Sequence, residues 1–177
     1  MRRPFRLAAG LLPLLIACQP ALNWRDARFQ GAGLVALLPC KPDRGTRTVP
    51  LGGRDTALEM QGCDADGATF AIAHARATDP AQAGSALAHW RAATLNHLQA
   101  QAARESSFAP AGALALPQTV RVTATGRRPD GRPVQMQAVW FAHAEPDGVH
   151  LFHAAVYAER LPAQTADAFF GGLRFPS

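Results

Sequence analysis

Lysine is almost missing from this 177-residue chain: Lys41 stands alone beside seventeen arginines. With the many Ala, Gly and Pro residues, that imbalance reads as a coding bias of the source genome. Tyrosine occurs once, at Tyr157, and serine only at Ser85, Ser106, Ser107 and Ser177. None of the serines has the flanking glycines of a nucleophile elbow, and the chain has no Gly-rich phosphate loop and no His-Glu-x-x-His. The common hydrolase and nucleotide chemistries are therefore unsupported, and the sequence points away from an enzyme. No apolar run reaches the roughly 20 residues of a bilayer-spanning helix. Basic clusters are scarce too, since the arginines stand singly apart from pairs such as Arg127-Arg128, so nucleic acid is not an expected partner.

Arg2, Arg3 and Arg6 make a basic start, and residues 7–17 form a short apolar stretch broken by Gly10 and Pro13. This is the pattern of an export signal, too short to remain as an ordinary membrane anchor. Without those arginines, fifteen basic residues face thirteen acidic ones, so the mature chain is only about +2. The site Leu15-Ile16-Ala17-Cys18 resembles a bacterial lipobox, which implies cleavage before Cys18 and acylation of that cysteine. An ordinary secretory signal cut elsewhere is the alternative. Several acyl chains, each buried CH₂ contributing about 0.8 kcal/mol, would hold the protein on a membrane without crossing it. Gln19 follows the cysteine where proteins retained at the inner membrane often carry Asp. The resemblance thus implies the cell envelope, at the outer membrane and facing the periplasm.

With Cys18 assigned to lipid, Cys40 and Cys63 remain, an even number in a compartment that permits disulfides. A bridge would close a loop of 24 residues, for which chain entropy gives about 3.5 kcal/mol. Neither cysteine has Cys-x-x-Cys or Cys/His spacing; a reactive or metal-bound thiol is the competing reading.

The expected organisation is a signal peptide over 1–17, a tether over 18–30 and one domain over 31–177. Residues 33–38 are a compact apolar run stopped by Pro39, as in a buried strand. Strands at 47–51 and 56–62 flank a turn, and together the three suggest an antiparallel meander with Cys40 and Cys63 at one end. A fourth strand covers 68–75. Asp79-Pro80 opens a helix, expected to run to about Arg104, with Leu87, Trp90, Thr94 and Leu98 on one face. Residues 105–117 read as a long loop and as the candidate mobile segment. Strands at 119–125, 132–144 and 149–159 follow, separated by Pro129-Asp130-Gly131 and Glu145-Pro146-Asp147-Gly148. A short helix over 162–173 ends at Gly171-Gly172. The fold class is α+β, an antiparallel sheet with one long and one short C-terminal helix packed on it.

That order resembles the Mog1/PsbP-like α/β/α sandwich domains, and Ala168-Phe169-Phe170-Gly171-Gly172-Leu173-Arg174-Phe175 is similar to the phrase closing their exported bacterial members. The resemblance implies a non-enzymatic binding or assembly role and carries over no functional residues.

Three of the six histidines fall around one hairpin. With a turn at 145–148, His143 lies across from His150, close enough for two ligands of a metal ion, with Glu145 or Asp147 reaching in from the turn. Two imidazoles make a poor site, and solvated or satisfied strand histidines are the plainer reading. His153 has the opposite parity and points to the other face. His89 and His97 lie about 80° apart around the helix and cannot easily share an ion. Arg121, Arg127 and Arg128 are an anion site or, more simply, a solvated edge. No cofactor is implied. The expected function is an anchored binding, scaffold or envelope-assembly protein. Its partner would be an envelope protein or a small apolar ligand, held at an apolar patch or a cleft between the 105–117 loop and the sheet. The alternatives are a periplasmic catalyst using a Cys/His thiol site and a metal-binding protein.

Overall fold

The computed structural model describes residues 22–51, 53–77 and 79–176. The leader and Cys18 lie outside the described residues. Nine strands and two helices follow one another. They are β1 (Arg25–Arg28), β2 (Val35–Leu38), β3 (Asp43–Leu51), β4 (Arg54–Ala65), β5 (Ala68–Arg76), α1 (Ala83–His97), β6 (Ala102–Ser107), β7 (Val120–Arg127), β8 (Pro133–Glu145), β9 (Gly148–Ala158) and α2 (Ala163–Gly171). Strands β3 to β9 form one antiparallel sheet in the order β3-β4-β5-β9-β8-β7-β6, and β1 and β2 pair separately. The chain is α+β and dominated by sheet, as the alternation of strand and turn signals implies.

Side-chain parity divides the core into two layers. On one face α1 lays Ala83 and Leu87 over Met136, Ala138, Trp140 and Leu151. On the other, Phe169 and Phe170 of α2 pack with Phe70, Phe141, Phe152 and the β1–β2 hairpin. Central strands β8 and β9 are buried on both faces, so their apolar runs are nearly continuous. The outer strand β3 is mostly exposed and carries Arg44, Arg47 and Pro50, residues that discourage edge-to-edge pairing.

Four expectations are corrected. Residues 25–28 are no tether: they form β1, with Ala27 and Phe29 buried. The apolar run at 35–38 is not the first strand of a meander, because it pairs with β1 outside the large sheet. The helix does not reach Arg104. Asp79 Oδ1 accepts from Ala81 N at 2.9 Å and caps a short 3₁₀ turn over Pro80–Gln82, but α1 ends at His97. Buried Leu98 then seats on Gly126, where a Cβ would lie 2.2 Å from the Leu98 carbonyl oxygen, and Gln99 takes φ +51° to turn the chain into β6. Backbone pairing with the otherwise open edge of β7 outweighs the local helical pattern. Finally, 105–117 is not a free loop. Its first three residues belong to β6, Leu114 N donates to Ala142 O at 2.7 Å, and Phe108, Leu114 and Leu116 are part of the core layers.

Candidate functional site

Between α1 and strands β3, β4, β5 and β9 lies a cavity of about 620 Å³. Its size falls among small-molecule sites, whereas packed interiors rarely leave voids larger than water. Alanines explain it. Ala93 on α1 faces Ala71 and Ala73 on β5 across the gap, and these short side chains cannot fill the separation that Trp90 and the sheet impose. Val49, Leu51, Leu58 and Met60 complete an apolar wall. Exposed Arg47, His89 and His97 also border the space, the two histidines one on either side of Ala93 at i±4 spacing. No Asp or Glu lines it.

Two polar side chains sit on the β9 wall. His153 stacks on Trp140, centroids 4.7 Å apart and planes 8° apart, and meets Trp90 edge-on at 5.5 Å. Burial pushes its pKa from 6.5 down to about 3, so it is neutral at pH 7. Its Nε2 is enclosed without a hydrogen-bond partner. Burial pushes the Tyr157 hydroxyl up to about 12, and it too stays neutral. The wall is thus apolar with uncharged polar points, the composition that binds and orients small molecules.

A second constellation lies on the opposite face. His74 Nε2 and His150 Nδ1 are 2.9 Å apart, His150 Nε2 is 3.0 Å from Asp147 Oδ1, and Arg76 pairs with Asp147 at 3.0 Å. The two rings share one proton between His74 Nε2 and His150 Nδ1, and His74 Nδ1 lies 3.5 Å from the Glu59 carboxylate. Burial, then the neighbouring His150, holds the His74 pKa below its ordinary value. The hydrogen bond from His150, helped by Arg76, lowers that of Asp147. With His74 stacked against Phe152, the pair fastens β5 to β9 and to the turn after β8.

The remaining candidates separate. His143 and His150 are indeed cross-strand partners, but they do not share a site. His143 Nδ1 lies 2.7 Å from Gly112 O, its Nε2 3.3 Å from Glu145, and its ring stacks on Phe175 at 3.7 Å. Each turn carboxylate serves its own imidazole, and among the described residues no group of three or more His, Cys, Asp or Glu is placed to hold a metal ion. His153 faces away from His150, as parity requires. Cys40 and Cys63 are joined Sγ to Sγ at 2.00 Å, bridging the end of β2 to β4, so neither sulfur is a free thiolate. Arg121, Arg127 and Arg128 make no common anion site. Arg121 pairs with Asp167 at 2.8 Å over the Phe170 ring, Arg127 donates to Gly131 O, and Arg128 is half-buried with no carboxylate partner among the described residues. In the 105–117 segment Leu114 and Leu116 pack half-buried against the core, and the cavity described above lies elsewhere, under α1.

Sequence reasoning missed His74 and the cavity. Strand alternation puts His74 on the face of Phe70 and Ile72, so its burial was open to a parity argument; its partner came from the non-local β5–β9 pairing. Neither a family model nor a curated protein matches this chain.

Proposed function

We propose that this chain is a lipid-anchored lipoprotein of the cell envelope, at the outer membrane and facing the periplasm, whose domain binds a small molecule or an envelope partner without catalysing a reaction. The cavity under α1 carries the binding reading: it is large, apolar, and lacks the paired acid, base or nucleophile that chemistry would need. Acylated Cys18 is the anchor, supported by the lipobox-like Leu15-Ile16-Ala17-Cys18 and the basic start. Among the described residues no helix is long and apolar enough to cross a membrane. A Mog1/PsbP-like sandwich is the finer reading of the fold. It draws on helices against both faces of the antiparallel sheet and on the closing phrase, whose Phe169, Phe170 and Leu173 are all buried.

Envelope fractionation of the wild-type chain beside Cys18→Ser tests the anchor, and brief cross-linking before fractionation tests for a protein partner. Wild type should sediment with outer membranes and the variant should be released as a soluble periplasmic protein. Identical fractionation of the two would refute the anchor. A stoichiometric envelope protein recovered only with the anchored form would identify an assembly partner.

A further inference from the structure

The cavity under α1 has a chemical polarity that narrows its occupant. The inner wall is made by Leu58, Met60, Trp90 and the small residues Ala71 and Ala73, with Tyr157 and His153 as neutral polar points. Every ionisable side chain bordering it is basic or neutral. Arg47 is the fixed charge, on the exposed outer strand β3, and among the described residues it makes no salt bridge or side-chain hydrogen bond. Other described arginines without a carboxylate partner, Arg25, Arg44 and Arg54 among them, do not line this cavity, so Arg47 is singled out by its place and not by being unpaired. His89 and His97 lie along the same edge of the helix, His89 with its Nδ1 on the Ser85 carbonyl oxygen at 3.0 Å.

From this arrangement we infer that the cavity binds a single-chain anionic amphiphile, a long-chain fatty carboxylate or a lipid of the same chemistry, with its hydrocarbon chain against the alanine-lined wall and its anionic head on Arg47. The inference deepens the binding role proposed above and rests on it. An apolar cavity gains from each methylene removed from water, whereas a headgroup left in the apolar interior would lose its hydration. An amphiphile satisfies both conditions because its two ends meet two different surfaces. A dianionic or multiply charged ligand has only one fixed positive charge to meet. A wholly apolar ligand gains nothing from Arg47. Arginine suits the head, since its planar fork of donors matches a carboxylate or phosphate oxygen pair.

The test is displacement of a fluorescent fatty-acid probe from the full chain carrying Cys18→Ser, exported to an oxidising compartment so that Cys40 and Cys63 pair. Palmitate should displace the probe saturably at one site per chain, and hexadecanol, of equal length and no charge, about threefold to tenfold more weakly, the range of an exposed to partly desolvated charge contact. Arg47→Gln should bring palmitate to the level of the alcohol. Ala93→Trp, which adds bulk at an exposed helix position facing the cavity, should abolish binding of both while leaving the thermal unfolding temperature within a few degrees of the parent. Palmitoyl lysophosphatidylglycerol, whose phosphodiester carries a single negative charge, run beside palmitate separates a phospholipid source from a free fatty acid, and preference for either supports the inference. No saturable binding, binding untouched by Ala93→Trp, or equal affinity for acid and alcohol overturns it. The anchor is absent in every arm, so failure here is distinct from a failure of the lipoprotein reading, which fractionation decides. Hexadecanol binding without palmitate selectivity would keep the binding role and remove the anionic ligand.

Discussion

His153 should make this fold acid-sensitive, and its contribution can be isolated. In the folded state its pKa falls from 6.5 to about 3 because the ring is enclosed between Trp140, Trp90 and the cavity wall. The unfolded chain therefore takes up a proton below pH 6.5 that the folded chain refuses until about pH 3. Stability is complete above pH 6.5 and declines by about 1.4 kcal/mol per pH unit as the pH falls through that window. Between pH 7 and pH 5 the loss from this one residue is about 2 kcal/mol. One edge of the ring borders the cavity, so water there moves the pKa back toward 6.5 and makes 2 kcal/mol an upper bound. His153→Phe keeps an aromatic ring for Trp140 and removes the titration. Urea unfolding followed by tryptophan fluorescence at pH 7, 6 and 5 reads both proteins. His74, also lowered by burial, contributes with the same sign but is common to the two and cancels in the difference. Wild type should lose about 2 kcal/mol more than the variant over these two units. Parallel losses, within about 0.5 kcal/mol, would show that His153 is protonated in the folded state and refute the enclosure argued for it.

Replacing Cys40 and Cys63 together by alanine should lower stability by about 3.5 kcal/mol in urea titration, since the crosslink closes a 24-residue loop; non-reducing mass of the parent, two hydrogens below the reduced value, checks the bond itself. Phe169→Ala, at a side chain fully buried against Phe70 and Phe170, should cost about 3–5 kcal/mol and leave fatty-acid displacement intact in the folded fraction. Two glycines make a matched contrast in thermal unfolding. Gly126→Ala drives a Cβ to 2.2 Å from the Leu98 carbonyl oxygen and should cost about 1–3 kcal/mol, whereas Gly45→Ala meets open space at an ordinary φ and should change stability by less than about 0.5 kcal/mol. Equal effects at the two positions would contradict the close approach of the α1 end to β7.

Much of the domain was legible because its signals are local. The alternation and turns around 145–148 gave β8, β9 and the cross-strand pairing of His143 with His150. Asp79 and Pro80 marked the start of the helical segment, and the stripe Leu87, Trp90, Thr94 and Leu98 does face the sheet side, with Leu87 and Leu98 buried. Where a local pattern competed with a distant partner, the partner won. Residues 98–104 continue a helical composition, yet the open edge of β7 takes Ala102–Ser107 as a strand. Residues 25–28 look like a polar tether because three of the four are charged; pairing with β2 and the burial of Ala27 make them a strand.

By itself the sequence determined the α+β class, the two cysteines that bridge, and the parity that separates His153 from His150. These follow from spacings of two to four residues or from composition, which the chain carries at every point along its length. Only the tertiary structure decided that β5 lies against β9, and with it the contact of His74 with His150. It alone set α1 over Ala71 and Ala73, opening a basic-edged apolar cavity where the sequence had offered only a stripe of packing residues. The physical reason is that a cavity belongs to no segment. It is the volume left between elements far apart in the chain, fixed by which surfaces meet and by how short the side chains are where they do.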